Sequence, residues 1–465
     1  TAFFSCNDSI GYIGNANTTF TFDSINPSIS YQGQTYPSGE TRNKKWYEVN
    51  ISVRNASDIK EIIWSWNNTN HTLYDDNLVL MMNFDNVSAL GENDSFVADV
   101  SGSENDASCE NHSICPTWHP SGGRFNGAFQ FDGIDDYFIT QYSDNYDMTE
   151  NLTVSFWFRL NEQIDSGISD ENGLLSKSST LVDADNDWIV FWYAGDNGRL
   201  RWGTHGGNVQ STKSIWYSDT WYHFTAVHYN ESYAELYIDG VLDNHNDDFT
   251  PGAINGNNDN PIKIGYVQPV EGHTYSNGTI DELRIYNRTL SPQEVNALYK
   301  YNLRKVDTDK WEFYINQTKN ATHLLEEGTY TYQASATDAA GNKNQTETWN
   351  VTIDTTPPSE VSNLQNISRT NESLYWTWSN PADADFNTTL VYLNGSNVAN
   401  TSASYFNATG LIPETIYNLT LYTKDHAGNV NTTPVTNVTT TLPTPDTTPP
   451  ATVTNLQNTY KESTW

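Results

Sequence analysis

The sequence predicts an all-β protein built from several β-sandwich domains. Tyr and Trp occur 28 and 15 times in 465 residues, whereas Met occurs only 3 times, a bias that suits pleated, half-buried strands. Short runs with alternating apolar residues recur along the chain and are separated by turn residues. The length is sufficient for about three to five domains of ordinary size.

A sequence repeat indicates a modular array. The segment DTTPPSEVSNLQN at 354–366 returns almost unchanged as DTTPPATVTNLQN at 446–458. Because this spacing exceeds the period of solenoid repeats, it predicts a tandem array of whole domains joined by Pro-rich linkers. The second copy is too short to bury a core, so the chain is expected to be a piece of a longer protein.

Two stretches of strands, at 20–75 and 302–355, are each marginal for an independent core. Together they supply the strands of one immunoglobulin-like sandwich of about 100 residues. We therefore expect one domain that is split by a long insertion, since insertions are tolerated at exposed loop tips. The alternative is two small independent domains. Residues 1–19 form a separate N-terminal segment.

The insertion at 76–301 predicts a domain of its own. Its strands include LTVSFWFRL at 152–160, in which Val154, Phe156 and Phe158 face one way. The one predicted helix covers 291–299, with Ser291 as N-cap, Pro292 in the first turn and Glu294 completing a capping box.

Five ordered motifs give the insertion a family resemblance: GAFQFDGIDDYF, LTVSFWFRL, WYHFTAVH, LYIDGVL and TIDELRIYNRTLSPQEV. They resemble the laminin-G-like, concanavalin A-like jelly-roll family. The resemblance implies two packed antiparallel sheets with a concave face and, in some members, a metal-bearing rim.

The flanking segments resemble other sandwich families. Residues 356–442, and the fragment at 443–465, resemble fibronectin type III domains. The split domain resembles bacterial and archaeal immunoglobulin-like surface modules through YTYQASATDAAGN at 330–342. Together with the frequent Asn-x-Ser/Thr sequons of the chain, the DTTPP-joined modules resemble archaeal cell-surface adhesin-like glycoproteins.

The charge balance excludes some partners. The net charge of −34 arises from 57 acidic and only 23 basic residues. Since no basic patch could neutralise phosphates, nucleic acid and anionic membrane surfaces are disfavoured as partners. No apolar run is long enough to span a bilayer.

Asn-x-Ser/Thr sequons and cysteines predict an extracellular location. The 26 sequons are about twice the number expected by chance, which favours N-glycosylation on the cell surface. An alternative is that Asn and Thr are simply common in turns and strands. Cys109 and Cys115 predict a local disulfide, and Cys6 has no assigned partner. The predicted glycosylation sites are Asn50, Asn55, Asn67, Asn86, Asn151, Asn230, Asn277, Asn287, Asn316, Asn350, Asn366, Asn387, Asn407, Asn418 and Asn437.

Calcium is the cofactor that the acidic residues favour, in a structural role. The family resemblance places Asp281 of the closing strand beside the end of the first strand, where Asp85 lies. Asp132 and Asp135 belong to a second acidic cluster, in FDGIDDY. Carboxylate oxygens are the ligands that calcium prefers. The alternative for Asp132 and Asp135 is that they only form the turn around Gly133.

Glycan binding is the function that the aromatic residues favour. Trp192, Trp202, His205 and Asn208 are the candidate ligand-binding residues, because aromatic faces stack on sugar rings and amides bind hydroxyls. The alternative is that these Trp residues fill the sandwich core. No pattern supports catalysis: Glu235 and Asp239 share a strand face without the full glucanase motif.

The sequence thus predicts a non-enzymatic surface glycoprotein that binds glycans or surface proteins through a lectin-like module on a β-sandwich stalk. The alternative is a structural subunit of a surface filament, sheath or surface layer, assembled by strand exchange. The aromatic N-terminal segment is then the candidate donor strand.

Overall fold

Strands from before and after the insertion meet in one sandwich, here called the host sandwich. The structure, a computed structural model, describes residues 2–7, 13–18, 23–33, 35–55, 58–109, 112–143, 151–167, 172–177, 188–192, 197–204, 207–229, 233–247, 260–267, 274–319 and 322–457. These residues are almost entirely β, so the predicted all-β fold class with several sandwiches is confirmed. The described residues form two compact units: Thr1–Glu40 with Lys45–Ile353, and Thr41–Lys44 with Asp354–Trp465.

The host sandwich has two antiparallel sheets. The first has the order Tyr301–Asp307, Lys310–Gln317, Tyr47–Arg54, Ser28–Tyr31. The second contains Trp349–Ile353, Gly328–Asp338, Ile59–Trp66 and Thr69–Tyr74, and Lys343–Gln345 pairs with Gly328–Asp338. Each sheet therefore combines strands from before and after the insertion.

The insertion is a jelly roll of two larger sheets. The front sheet has the order Gly207–Gln210, Leu200–Thr204, Trp188–Trp192, Asn172–Lys177, Lys263–Ile264, Phe138–Thr140, Ala107–Ser108, Phe96–Val97. The back sheet has the order Thr117–His119, Ala128–Asp132, Asn277–Tyr286, Leu152–Leu160, Trp221–Tyr229, Tyr233–Ile238, Val241–Asn246, and Leu78–Met82 also pairs with Asn277–Tyr286.

Short elements complete the first unit. The predicted helix is confirmed as Pro292–Lys300, and its capping box between Ser291 and Glu294 is present. The others are the 3-10 turns Ser88–Leu90 and His112–Ile114, the paired strands Tyr266–Val267 and Thr274–Tyr275, and the hairpin Ala2–Asn7 with Ile13–Thr18. The strand Glu40–Arg42 begins in the first unit, and its residues Thr41 and Arg42 belong to the second.

Both faces of the central back-sheet strand Leu152–Leu160 are buried. Val154, Phe156 and Phe158 point into the jelly-roll core, as their alternation predicts. On the opposite face, Trp157 stacks on Tyr299 of the helix, with ring centroids 5.4 Å apart. The back sheet therefore packs against the helix and the host sandwich.

The second unit is a smaller sandwich. One sheet contains Ser362–Arg369, Ser373–Ser379 and Tyr405–Thr409, and the other has the order Ser396–Thr401, Phe386–Leu393, Ile416–Asp425, Val435–Thr440. The first copy of the repeat packs into this core, with Val361 only 3% exposed. The matching Val453 and Leu456 of the second copy are 75% and 86% exposed. The repeated segment alone therefore does not form a packed domain.

Candidate functional site

A buried rim of the jelly roll joins the first strand, the loop at 123–127 and the closing strand. One carboxylate oxygen of Asp281 accepts hydrogen bonds from the backbone N–H groups of Arg124 (2.8 Å) and Phe125 (3.2 Å). Asp85 accepts one from the N–H of Gly127 at 3.1 Å. Asp281 and Asp85, both predicted as calcium ligands, thus accept hydrogen bonds from the same short loop, at residues 124–127.

A β-bulge places two buried acids side by side on the closing strand. The pairing with Leu152–Leu160 shifts register between Ser155 and Trp157, and Glu282 has a left-handed φ of 55°. Phe84 and Asn126 nearby also have positive φ, of 58° and 53°. Non-glycine residues rarely adopt this conformation, and such strain concentrates at functional sites. The sequence carried no sign of this bulge.

The oxygen atoms at this rim suit a hard cation. Asp281 is fully buried, and its Oδ1 atom has no hydrogen-bond partner among the described residues. A Cβ atom on Gly123 would lie 2.3 Å from Gly127 O, 2.7 Å from Phe125 O and 2.8 Å from Asp281 Oδ2. Three oxygens therefore converge beside Gly123, where a side chain would not fit. Carboxylate and carbonyl oxygens form the donor set that calcium prefers.

Burial makes the charge at this rim costly when it is unpaired. The pKa of Asp281 is raised well above its usual value, first by burial and second by the charge of Glu282. Burial also raises the pKa of Asp85, although the guanidinium of Arg304 opposes that shift. A divalent cation would offset this electrostatic cost, because an opposite charge favours the ionised carboxylate.

The rim is connected to the host sandwich by a buried polar network. Glu282 pairs with Arg284 at 3.0 Å, and both side chains are almost completely buried. Arg284 and Asn83 both donate to the carbonyl of Leu303 in the host sandwich, at 3.1 and 2.9 Å. The rim and the host sandwich therefore share one hydrogen-bonded network.

The second acidic cluster is a turn at the opposite end of the strand Ala128–Asp132. Asp132 Oδ1 accepts from the N–H of Ile134 at 2.8 Å, and Asp136 accepts from the N–H of Asp132 at 2.9 Å. The carboxylates of Asp132, Asp135 and Asp136 each have an oxygen within 4.8 Å of the others. Since these hydrogen bonds are those of a turn around Gly133, cation binding by Asp132 and Asp135 stays a prediction.

Three tyrosines form a cluster beside this turn. The ring centroids of Tyr266 and Tyr275 are 4.9 Å apart, and those of Tyr137 and Tyr266 are 5.4 Å apart. Tyr137 and Tyr275 are partly exposed. Burial, with a smaller contribution from the negative charge of Asp135, raises the pKa of Tyr275. We call these three rings the tyrosine cluster. It joins residues over 120 positions apart, so the sequence offered little signal for it beyond Tyr137 lying in FDGIDDYF.

The prediction that Trp192 and Trp202 stack on a sugar is wrong. Both side chains are fully buried, at 0% exposure, and belong to the jelly-roll core. Trp202 stacks on Trp188 at 5.4 Å, and Trp192 packs edge-on against Phe158. His205 lies outside the described residues. Asn208 is exposed at the end of the front sheet and remains a candidate for ligand binding.

Glu235 and Asp239, the two acids that share a strand face, both accept hydrogen bonds from neighbouring groups. The carboxylate of Glu235 accepts from the hydroxyls of Tyr229, Tyr233 and Tyr237 at 2.7–2.8 Å. Asp239 has a φ of 52° and accepts from the N–H of His223, as a turn residue does. Ser155 Oγ lies 3.0 Å from His223 Nε2, but burial lowers the pKa of His223 to about 3. A histidine with that pKa is a poor general base near neutral pH.

The predicted surface modifications fall on accessible or partly accessible positions. Cys109 and Cys115 form a disulfide with a Cα–Cα distance of 5.4 Å. The exposed sequon residues are Asn55, Asn67, Asn287, Asn387, Asn407 and Asn418. The partly buried ones are Asn50, Asn86, Asn151, Asn277, Asn316, Asn350, Asn366 and Asn437, whereas Asn230 lies outside the described residues. Occupancy of these glycosylation sites stays a prediction, and no partner is assigned to Cys6.

A third acidic group lies in the second unit and was not predicted. Asp354, Asp385 and Asp425 have carboxylate oxygens within 4.8 Å of one another. The carboxylate of Asp425 accepts from the N–H groups of Gly428 and Asn429, both at 2.7 Å. These bonds close a turn, and they give no separate sign of a cation.

Comparison with known families identifies the domains in order. Residues 132–296 match the family model described as concanavalin A-like lectin/glucanases superfamily. Residues 292–355 and 377–441 each match a bacterial Ig-like domain model. A concanavalin A-like domain is thus followed by two bacterial Ig-like domains, and the second of these lies where a fibronectin type III domain was expected. This combination fits a carbohydrate-recognition module.

Solved structures that match part of this chain include an arabinanase domain, the binding domain of a mosquitocidal protein and a sialidase. Domain 4 of AbnA, an extracellular arabinanase from Geobacillus stearothermophilus solved with arabinotriose, is 18% identical and covers 48% of this chain and 98% of its own, with a TM-score of 0.36. The binding domain of Paraclostridial Mosquitocidal Protein 1 is 15% identical and covers 75% of this chain and 77% of its own, with a TM-score of 0.37. A Trypanosoma rangeli sialidase is 16% identical and covers 49% of this chain and 33% of its own, with a TM-score of 0.35. TM-scores this low do not identify a ligand. No curated protein matches the chain.

No helix among the described residues is both long and apolar enough to cross a membrane.

Proposed function

We propose that this chain is an extracellular, N-glycosylated surface protein whose jelly roll binds carbohydrate without altering it chemically. The tyrosine cluster beside Asp132, Asp135 and Asp136 carries the proposal. Aromatic faces stack on the apolar faces of sugar rings, and neighbouring carboxylates accept hydrogen bonds from sugar hydroxyls. The two bacterial Ig-like domains then serve as a stalk that presents this module for adhesion.

We further propose that calcium binds at the buried rim. Asp281 and Asp85 would hold it, with the carbonyl oxygens of Phe125 and Gly127 close to the same space. Calcium would supply positive charge to the buried carboxylates and fix the loop that they bind. Its role is structural, because the tyrosine cluster shares no residue with the rim.

A non-enzymatic role is supported by the state of the candidate catalytic groups. Glu235 is held by three tyrosine hydroxyls, and Asp239 serves a turn. Neither carboxylate is free to take a proton from, or give one to, a glycosidic oxygen, as a glycosidase requires. Mass spectrometry of glycans recovered after incubation with the protein should find them unchanged. A cleaved product would contradict this part of the proposal.

A glycan array tests the tyrosine cluster. The wild-type chain is expected to bind a subset of glycans, and Tyr275→Ala is expected to weaken that binding about fivefold or more, because a ring face is lost. The matched control is Tyr217→Ala, which removes another exposed tyrosine of the jelly roll, 56% exposed. No binding with or without calcium, or an equal loss in both variants, would refute carbohydrate recognition at this cluster.

Assembly into a surface filament or layer is the second candidate function. The N-terminal hairpin Ala2–Asn7 with Ile13–Thr18 forms a separate two-stranded sheet, and among the described strands each pairs with the other alone. Open strand edges of this kind can add to a sheet of a neighbouring molecule.

Electron microscopy distinguishes this second candidate. If strand addition builds a polymer, the full chain at high concentration should form filaments or sheets, and a variant lacking residues 1–19 should stay dispersed. Dispersed particles for both proteins would speak against assembly through this segment.

A further inference from the structure

A large cleft separates the jelly roll from the host sandwich. It encloses about 760 Å³, which lies in the range of small-molecule sites. One wall is the helix Pro292–Lys300 with the hairpin that follows Tyr237. The other is the host hairpin at 66–71 with residues from 317–319 and 322–330. The cleft shares no residue with the rim or the tyrosine cluster.

Two basic side chains line this cleft without a carboxylate partner. Lys300 is 8% exposed, and its ammonium group donates to the carbonyl of Thr318 at 3.3 Å. Among the described residues no carboxylate lies within 4.0 Å of it. Burial lowers the pKa of His71, and the charge of nearby Lys300 adds to that shift. The nearby carboxylate of Glu235 is held by three tyrosine hydroxyls.

Several buried or half-buried bases among the described residues pair with carboxylates, whereas Lys300 does not. Bases number only 23 against 57 acids, and Arg284, Arg288, Arg304 and Lys310 all pair with carboxylates. At the edge of the cleft, Lys319 likewise pairs with Glu326. Burying an ammonium without a counter-ion costs stability, and burial lowers the pKa of Lys300 to about 8. An anionic ligand would offset that cost.

The rest of the lining suits a sugar. Trp66 and Tyr330 stack at 5.2 Å and border the cleft, and Val241 and Leu242 add apolar surface that is 41% and 46% exposed. The amides of Gln293 and Asn296 also line the cleft and can bind hydroxyl groups. We propose that the cleft binds an acidic oligosaccharide, with the carboxylate of one sugar residue paired to Lys300.

Calorimetric titration of the full chain with trigalacturonate tests the proposal, with maltotriose as a neutral trisaccharide. Trigalacturonate should bind at least about tenfold more tightly, because a charge-assisted hydrogen bond is lost with the neutral sugar. Lys300→Met should reduce trigalacturonate affinity by about tenfold or more. Leu242→Glu, a surface change at the cleft mouth, should also weaken binding, since it places a like charge beside the ligand.

Two matched controls separate the cleft from general charge effects. Lys343→Met removes an exposed lysine of the host sandwich, and Ile416→Glu adds an acid at a position of the second unit that is 65% exposed. Both should leave trigalacturonate affinity unchanged. Absence of trigalacturonate binding, equal binding of maltotriose, or an unchanged affinity in Lys300→Met that matches the Lys343→Met control would overturn the proposal.

Discussion

Replacing Asp281 with Asn is expected to abolish the stabilisation that calcium gives to the jelly roll. With calcium at about 100 times its Kd, the wild-type chain should gain about 2.7 kcal/mol, or roughly 5–10 °C in the melting temperature of the unit that contains the site. The gain arises because calcium binds the folded rim, where Asp281 and Asp85 converge on one loop, and not the unfolded chain.

Without calcium, the order of stability of Asp281→Asn and the wild-type chain should reverse. Asp281 is fully buried, so its charge is costly when no cation is present. The Asn side chain removes that charge and can still accept the hydrogen bonds from Arg124 and Phe125. In a chelator, Asp281→Asn should therefore be at least as stable as the wild-type chain. Asp165→Asn, which changes a partly exposed acid of the same domain, should keep the full calcium response.

The stabilisation that calcium gives to the folded chain should also increase with pH. Burial raises the pKa of Asp281 above its usual value of 3.8, so the folded state keeps a proton that the unfolded chain has lost. In a chelator, this group therefore makes the fold less stable as the pH rises from about 4 through the folded pKa. Bound calcium holds the carboxylate ionised and removes that loss.

Differential scanning fluorimetry from pH 5 to 8, with calcium and with chelator, measures this difference directly. The other buried acids, such as Glu92 and Asp99, act in the same sense under both conditions and largely cancel. A melting temperature that calcium does not change, or a calcium response that Asp281→Asn retains, would rule out a cation at this rim.

The sequence predicted the elements whose signals are local. The capping residues Ser291 and Glu294 mark the start of the helix, and alternation in 152–160 identifies the core side of that strand. Asp281 and Asp85 were paired through family resemblance, and the structure brings both to the loop at 123–127. The sequence contains no pattern that indicates the bulge at Glu282, because the bulge depends on the register of neighbouring strands.

Aromatic residues were harder to place. Trp188–Trp192 is apolar at every position and is covered on both faces, so alternation could not separate core from surface. The tyrosine cluster and the cleft around Lys300 depend on which strands meet and on how the host sandwich closes against the helix. Those relations are long-range, and propensity and periodicity carry no information about them.

Acidification is expected to destabilise the jelly roll through two buried histidines on the strand Trp221–Tyr229. Burial, with smaller contributions from Arg284 and Arg124, lowers the pKa of His223 to about 3, and burial lowers that of His228 to about 4. Both pKa values lie below the ordinary 6.5, so the unfolded chain takes up protons first. The stabilisation is complete above pH 6.5 and is lost as the pH falls towards 4. At pH 5 the loss is about 2 kcal/mol for each histidine.

Single replacements test this contribution. Urea unfolding followed by tryptophan fluorescence at pH 7, 6 and 5 should give a steeper loss for the wild-type chain than for His228→Leu or His223→Leu. Either variant removes one protonation site and should flatten the pH dependence by about 2 kcal/mol between pH 7 and 5, whatever its stability at pH 7. His245→Leu, an exposed histidine of the same sheet, should keep the wild-type slope. Equal slopes in all four proteins would mean that His223 and His228 do not stay neutral in the folded jelly roll. Raised carboxyl pKa values act in the opposite direction in every variant, so the differences between variants isolate the histidines.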